Sequence, residues 1–310
     1  MKKKIFNYIV ILICGYVLVE LLIRKELIYS SITYALKIWV NNLIPALFPF
    51  FIISDILINY NITGYIPKII KKICKWLWKI TDNMLMILLL SIISGFPSNA
   101  RNTRILFDKG DITLDEANHI LMFSHFSNPV FILTTVGLFF FGNEKAGIII
   151  LISHYLSNFI LGIICRGSFK HNDNCSYSKE GNINFGNVLV NAIKRAIDTT
   201  LLICGIVTIF LMLASIIVST FNLNIYNGML VKGLLEITIG IEAVSKLDIS
   251  ILFKMVVASC FLAFGGLSVH LQVMSQLVDT KINYHYFFLG RIWQMILSGI
   301  ITYVIGLLVI

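Results

Sequence analysis

Charge is what this chain has least of. Only 13% of its 310 residues are Asp, Glu, Lys or Arg, and the acidic ones number 16. A soluble domain carries about twice that charged fraction and could not hide a sequence that is 57% hydrophobic. A soluble globular fold is excluded, and a polytopic membrane protein is implied. Enzyme signatures are missing too: there is no H-E-x-x-H, no G-x-S-x-G and no Walker-type loop. The six cysteines, Cys14, Cys74, Cys165, Cys175, Cys204 and Cys260, mostly lie in apolar runs and none are spaced for a metal. The sequence therefore points to no metal, no cofactor and no covalent chemistry. The net charge of +9 is scattered over loops and helix ends. It reads as lipid-facing and orienting charge, with no nucleic-acid footprint.

Long apolar runs are also fewer than the composition suggests. Ile5–Ile23, Ala146–Cys165, Thr199–Phe221 and Ile292–Ile310 approach the roughly 20 residues that a bilayer core needs. The first follows three lysines, is too long for a signal peptide and meets no A-x-A-like site, so it is expected as a retained helix. Lys/Arg placement favours a cytoplasmic N-terminus, against Arg24 and Lys25 at the far end of that helix. The other apolar segments are interrupted. "NNLIPALFPFFIISDILI" has Pro45 and Pro49 at its centre and is expected as a Pro-broken hairpin. Asn83–Phe96 stops at Gly95-Phe96-Pro97, and "FSNPVFILTTVGLFFFG" begins abruptly at Ser127-Asn128-Pro129. "LLEITIGIEAVSKL" carries Glu236, Thr238 and Glu242, and "VVASCFLAFGGLSVHLQV" breaks at Gly265-Gly266. Irregular backbone at membrane depth survives only inside protein or against a cavity. Paired interrupted helices mark a transporter core with a midplane site.

Three stretches are expected at the surface. "IPKIIKKICKWLWKI" sets lysines among Trp76, Trp78 and isoleucines, as an interfacial amphipathic helix does. Thr113 and Glu116 have capping-box spacing, so a helix starts there. Residues 166–186 form a polar loop that divides the chain. The expected organisation is an N-terminal membrane helix (1–26), a first repeat (27–166), a polar linker (167–186) and a second repeat (187–310). The fold class is all-α, with two quasi-inverted repeats of broken helices and hairpins. Ser91, Phe96 and Asp111 align ungapped with Ser259, Phe264 and Asp279.

The breaks supply the candidate site. After Gly95 and Pro97, Ser98 or Asn99 can cap a new helix whose free N–H groups and positive dipole end attract anions. Ser98 and Asn102 share a face of that helix, and Arg101 and Arg104 form a neighbouring stripe with Asp108 one turn beyond. The plainer reading is a helix leaving the membrane with its arginines at lipid phosphates. Ser127 and Asn128 form a second helix start, on the same cavity or at the surface. Gly265, Gly266, Ser268 and Gln272 come from the opposed break, where Ser268, Gln272 and Ser275 fall on one face. Glu236, with Thr238, is an acidic group in an apolar run, a proton carrier or solute contact unless Lys232 simply pairs with it. His125 and His154 read as packing residues.

Together "NLIPALFPFFIIS", "SGFPSNA", "FSNPVFI", "SHYLSN", "EITIGI" and "FGGLSVHLQV" resemble the sporulation integral membrane proteins of endospore-forming bacteria, which carry a nucleoside-recognition or gate domain. The resemblance runs from Ile38 to the C-terminus. "LAFGGLSV" and "EITIGI" are more distantly similar to concentrative nucleoside transporters. The family resemblance implies movement of dipicolinic acid into the developing spore and residence in the outer forespore membrane. Dipicolinate is a small flat dianion, suited to helix N-termini and amide or hydroxyl donors. Two alternatives stay open: carriage of a nucleoside or another small polar solute, and a non-transporting scaffold of the spore envelope. The expected partners are a small anionic solute and the lipid bilayer, with no nucleic acid; a homo-oligomer is compatible with the sequence.

Overall fold

A computed structural model describes residues 2–167, 169 and 184–309, and every regular element among them is helical. Six helical stretches are long and apolar enough to cross a bilayer: Lys4–Ile23, Lys25–Asn59, Glu144–Cys165, Phe185–Thr220, Ile251–Leu277 and Tyr284–Val309. The chain is thus an all-helical, multi-pass membrane protein.

Helix α1 (Lys2–Ile23) is almost entirely unburied by the rest of the chain. Helices α2 (Lys25–Ile38) and α3 (Ile44–Asn59) join through a π-helical turn at Trp39–Leu43. The expected Pro-broken hairpin is therefore one continuous helix. Pro45 follows directly on that wide turn, in the first turn of α3, and Pro49 lies inside α3. Helices α4 (Lys68–Trp78) and α5 (Asp82–Ser94) meet at 93°. On α4 the lysines face outward and Cys74 is buried, as the amphipathic pattern requires. Trp78 anchors it by donating from Nε1 to the Phe159 carbonyl at 2.9 Å.

Helix α5 ends at Gly95, and α6 (Ser98–Asp108) follows a cis Phe96-Pro97 bond. Helix α7 (Leu114–Phe123) opens with the expected capping box: Glu116 N donates to Thr113 Oγ1 at 3.2 Å and Thr113 N to Glu116 Oε2 at 2.8 Å. A ten-residue π-helix, Phe131–Phe140, leads to α8 (Glu144–Cys165). Residues 168 and 170–183, which hold most of the expected linker and Cys175, lie outside the described residues.

Helix α9 (Phe185–Thr220) is far longer than the apolar run Thr199–Phe221 foretold, because residues 185–198, which mix polar and charged side chains with apolar ones, continue the same helix ahead of that run. Then α10 (Ile225–Leu235) and α11 (Ile237–Ser245) flank an extended Glu236. Gly240 lies against the Gly233 backbone, where a Cβ would overlap it. Its role is close approach. Helices α12 (Ile251–Phe264) and α13 (Gly266–Leu277) meet at two glycines of positive φ, yet together they still make one candidate span. Helix α14 (Tyr284–Val309) packs along α12 through Gly299 and Gly306. A hydroxyl chain joins the pair: Ser259 Oγ to Ser298 Oγ at 2.6 Å, with Thr302 Oγ1 donating to Ser259 at 2.8 Å. Small residues and interhelical hydroxyls are the usual cohesion where lipid removes the hydrophobic drive, at about 0.6 kcal/mol per hydrogen bond.

Candidate functional site

The first break is held by an interlock. A Cβ on Gly95 would lie 2.6 Å from the backbone nitrogen of Asn128, and its φ is +76. Glycine is required there twice over, for the turn and for the close approach. Asn128 in turn donates from Nδ2 to the carbonyls of Ala46 (2.8 Å) and Ile93 (3.1 Å). Its Oδ1 accepts from the N–H groups of Val130 (2.8 Å) and Phe131 (3.3 Å). Both polar ends are used within the protein. Asn128 clamps α3, α5 and the 131–140 helix together, where the sequence suggested a free solute contact.

Between the clamp and the second half lies a narrow, mainly apolar cavity of about 30 Å³, walled by Phe96, Ser127, Glu236, Thr238, Val269 and Gln272 among others. Five of the expected site residues line it: Ser127, Asn128, Glu236, Thr238 and Gln272. Ser98, Asn99, Asn102 and Ser268 do not. They are buried on α6 and α13, two helices packed on one another, and Ser98 Oγ, both polar ends of Asn99 and Asn102, and Ser268 Oγ have no protein partner. Neither Ser98 nor Asn99 caps α6: Pro97 occupies the cap position, and both fall inside the first turn. Their side chains are therefore free of the helix end they were expected to serve. Gly265 and Gly266 shape the second break by their left-handed backbone.

Glu236 is 2% exposed and caps α11: its Oε2 accepts from Thr238 N at 2.8 Å and Ile239 N at 3.1 Å, and its Oε1 from Thr238 Oγ1 at 3.1 Å. It forms no ion pair with Lys232 among the described residues. A carboxyl held by its own helix N-terminus needs no cation nearby.

His125, expected as a packing residue, has its ring between the breaks. It stacks on Phe96 at 5.0 Å, and its Nε2 is 3.5 Å from where a Gly265 Cβ would be. Neither ring nitrogen has a partner among the described residues. Behind it, His154 Nε2 accepts from Ser127 N at 2.9 Å, so His154 is the satisfied packing residue the sequence suggested. Arg291, wholly buried, donates to the Met122 carbonyl at 3.0 Å and to Gln294, and forms no ion pair among the described residues.

Two wider spaces flank the central cavity. One, about 360 Å³, is lined by Tyr34, Lys37, Asn42, Glu242 and Thr238, and Thr238 also walls the central cavity. Its carboxylate is paired: Tyr34 donates to Glu242, as does Lys246 Nζ at 2.5 Å. The other, about 300 Å³, is lined by Arg101, Arg104, Arg195, Asp198 and Gln276. Gln276 is one turn along α13 from Gln272 of the central cavity. On α9 the linings pass from Leu202 to Ile203 in the same way. Here Arg101 departs from the lipid-phosphate reading. It is 5% exposed, and its Nη2 donates to Asp55 Oδ2 at 2.6 Å. Arg104 pairs with Asp108 at 3.2 Å, as their spacing predicts.

Residues 40–144 match the family model Gate, described as nucleoside recognition. That span holds the α3 clamp, the first break, α6, α7 and the 131–140 helix. The chain is also 27% identical over 303 residues to the sporulation integral membrane protein YlbJ of Bacillus subtilis (strain 168). The match covers 86% of this chain and 74% of that protein. No solved structure matches the chain.

Proposed function

We propose that this multi-pass membrane protein, with its Gate match and its likeness to a sporulation membrane protein, carries a small anionic solute between the two broken halves of its core. The most specific reading is dipicolinate, moved across the outer forespore membrane into the developing spore, without covalent chemistry. The observation that carries it is the set of buried donors at the breaks, Ser98, Asn99, Asn102, Ser127 and Ser268, whose side chains include atoms with no partner in the protein. An unpaired buried polar group costs about 1–3 kcal/mol, and a fold retains five of them where a solute or its water shell satisfies them. Their neighbours support the same reading. Helices α6 and α13 both begin at the breaks, so their N–H ends favour an anion. Phe96 in the cavity wall offers a ring face to a flat aromatic solute once the two halves part.

Uptake of labelled dipicolinate by vesicles containing only the purified protein tests the reading. The variant Ser98→Ala with Asn99→Ala is expected to bind at least about tenfold more weakly by calorimetry, since each hydrogen bond to a charged group contributes about 1.5–3 kcal/mol. Its melting temperature should stay near wild type, because neither side chain bonds to the protein. Wild-type affinity in that variant, or vesicles that take up nothing, would overturn the proposal. A second reading, a nucleoside carrier, draws on the Gate description and on Glu236 and Thr238 in the cavity wall. Competition by uridine and adenosine against labelled dipicolinate decides between them.

A further inference from the structure

The groove at the α6–α9 end of the core has chemistry that neither the family match nor the central cavity accounts for. Asp55 is 1% exposed and offers a single oxygen, Oδ2, to two guanidinium groups: Arg101 Nη2 at 2.6 Å and Arg195 Nε at 3.0 Å. Among the described residues its other oxygen, Oδ1, has no partner, and neither does Nη1 of the buried Arg101. One carboxylate is thus shared by two arginines, with hydrogen-bonding capacity left over on both sides. A purely structural buried pair tends the other way, toward a bidentate fork in which both oxygens and both nitrogens are used. Arg104 completes a trio along the groove wall, its Nη1 donating to the Gln276 carbonyl at 3.1 Å. Facing groups of opposite sign are Asp198 in the wall and Asp108, exposed and paired with Arg104. The groove is open, with about 300 Å³ of space, and it ends one helical turn from the central cavity at Gln272.

We infer that this groove is a second, outer anion site, where a carboxylate binds to Arg101 and Arg195 in competition with Asp55 before entering the central cavity. Arginine forks suit planar carboxylates, and the half-exposed Arg195 is free to swing from Asp55 to an incoming ligand. The ligand class is a small mono- or dicarboxylate, with dicarboxylates favoured because Arg104 is available for the second group. Its part in transport rests on the carrier reading above; the binding itself rests on the arginines alone.

The test uses the full chain in nanodiscs of neutral lipid, with benzene-1,3-dicarboxylate, benzoate and benzamide as probes, followed by calorimetry and thermal melts. The dicarboxylate should bind more tightly than benzoate, and benzamide not at all, with affinity falling as salt rises. Arg195→Gln, at a half-exposed position, should weaken the dicarboxylate about tenfold and leave the melting temperature near wild type. Asp55→Asn should do the opposite. It leaves Arg101 buried with a weaker partner, so the empty protein melts lower, and it removes the competitor, so the dicarboxylate binds more tightly and restores the lost melting temperature. Unchanged affinity in Arg195→Gln, or an Asp55→Asn protein that the dicarboxylate neither binds more tightly nor rescues, would overturn the site. The carrier reading fails separately. If vesicles take up no solute while these binding shifts appear, the outer site stands without transport. If vesicles transport normally with Arg195→Gln and Arg104→Gln, the groove has no part in it.

Discussion

Gly95 shows how tightly single positions are specified around the breaks. An alanine there would hold a left-handed φ at about 1–2 kcal/mol and also push against the Asn128 backbone. Gly95→Ala is expected to lose at least about 2 kcal/mol, read as a lowered melting temperature in detergent. At Glu236 the amide of Glu236→Gln keeps an oxygen for Thr238 N and Ile239 N, so that variant should melt near wild type. Glu236→Ala loses the cap of α11 and should cost about 1–2 kcal/mol. Equal melting of the two variants would show that the cap contributes nothing. The polar residues at the breaks were legible in the sequence because each interrupts an apolar run within a few positions. Asp55, Arg195 and Arg291 were not. Asp55 meets Arg101 across 46 positions and Arg195 across 140, and Arg291 meets Met122 across 169. Local pattern carries no trace of such pairings, so the sequence left Arg101 between a cationic stripe beside the break and a lipid-phosphate contact, and Asp55 in neither. Asn128 illustrates the converse: its helix-start signature was readable, while the use of its amide as a clamp depends on Ala46 and Ile93.

Elements were read well where composition and local chemistry agree. The capping box at Thr113 is one case, and Thr113→Ala should cost about 1 kcal/mol of stability in a melt. The short apolar helices are another: α5 and the 131–140 helix have 13 and 10 residues, too few to span. The misreading came at Pro45 and Pro49. Two prolines four apart suggest a hairpin, yet Pro45 falls in the first turn of α3 directly after the π-helical turn, and Pro49 is carried inside the helix. Trp39 in that turn reaches the Thr200 carbonyl at 3.0 Å, a contact that no run of residues 39–49 announces. The length of α9 was underestimated because residues 185–198 mix polar and charged side chains with apolar ones, so a hydropathy reading starts the span late.

For the whole molecule, charge sets a direction. The lysines of α4 and Arg166 gather at one end, where Arg166 donates to the carbonyls of Trp76 and Leu77. Arg195 and Asp55 stand toward the same end of α9 and α3, and Arg24 meets Ser219 at the opposite end of α9. By the positive-inside rule the α4 end should face the cytoplasm. A cysteine placed at Lys72 should then resist an impermeant maleimide in intact cells and react after permeabilisation; labelling in intact cells would reverse the orientation. The lacing of α9 to the 25–59 helix has a mechanical consequence. Arg24 with Ser219, Trp39 with Thr200 and Asp55 with Arg195 tie the two at three heights, and the pair behaves as a braced strut. The two-piece rods α5–α6 and α12–α13, jointed at Gly95 and Gly265, stand beside it. On the carrier proposal, rocking is expected at those joints. Spin labels on α9 and the 25–59 helix should keep a fixed separation when solute is added, while labels from α9 to α6 or α13 should shift. A strut that lengthens or bends while the joints stay still would reverse this division of labour.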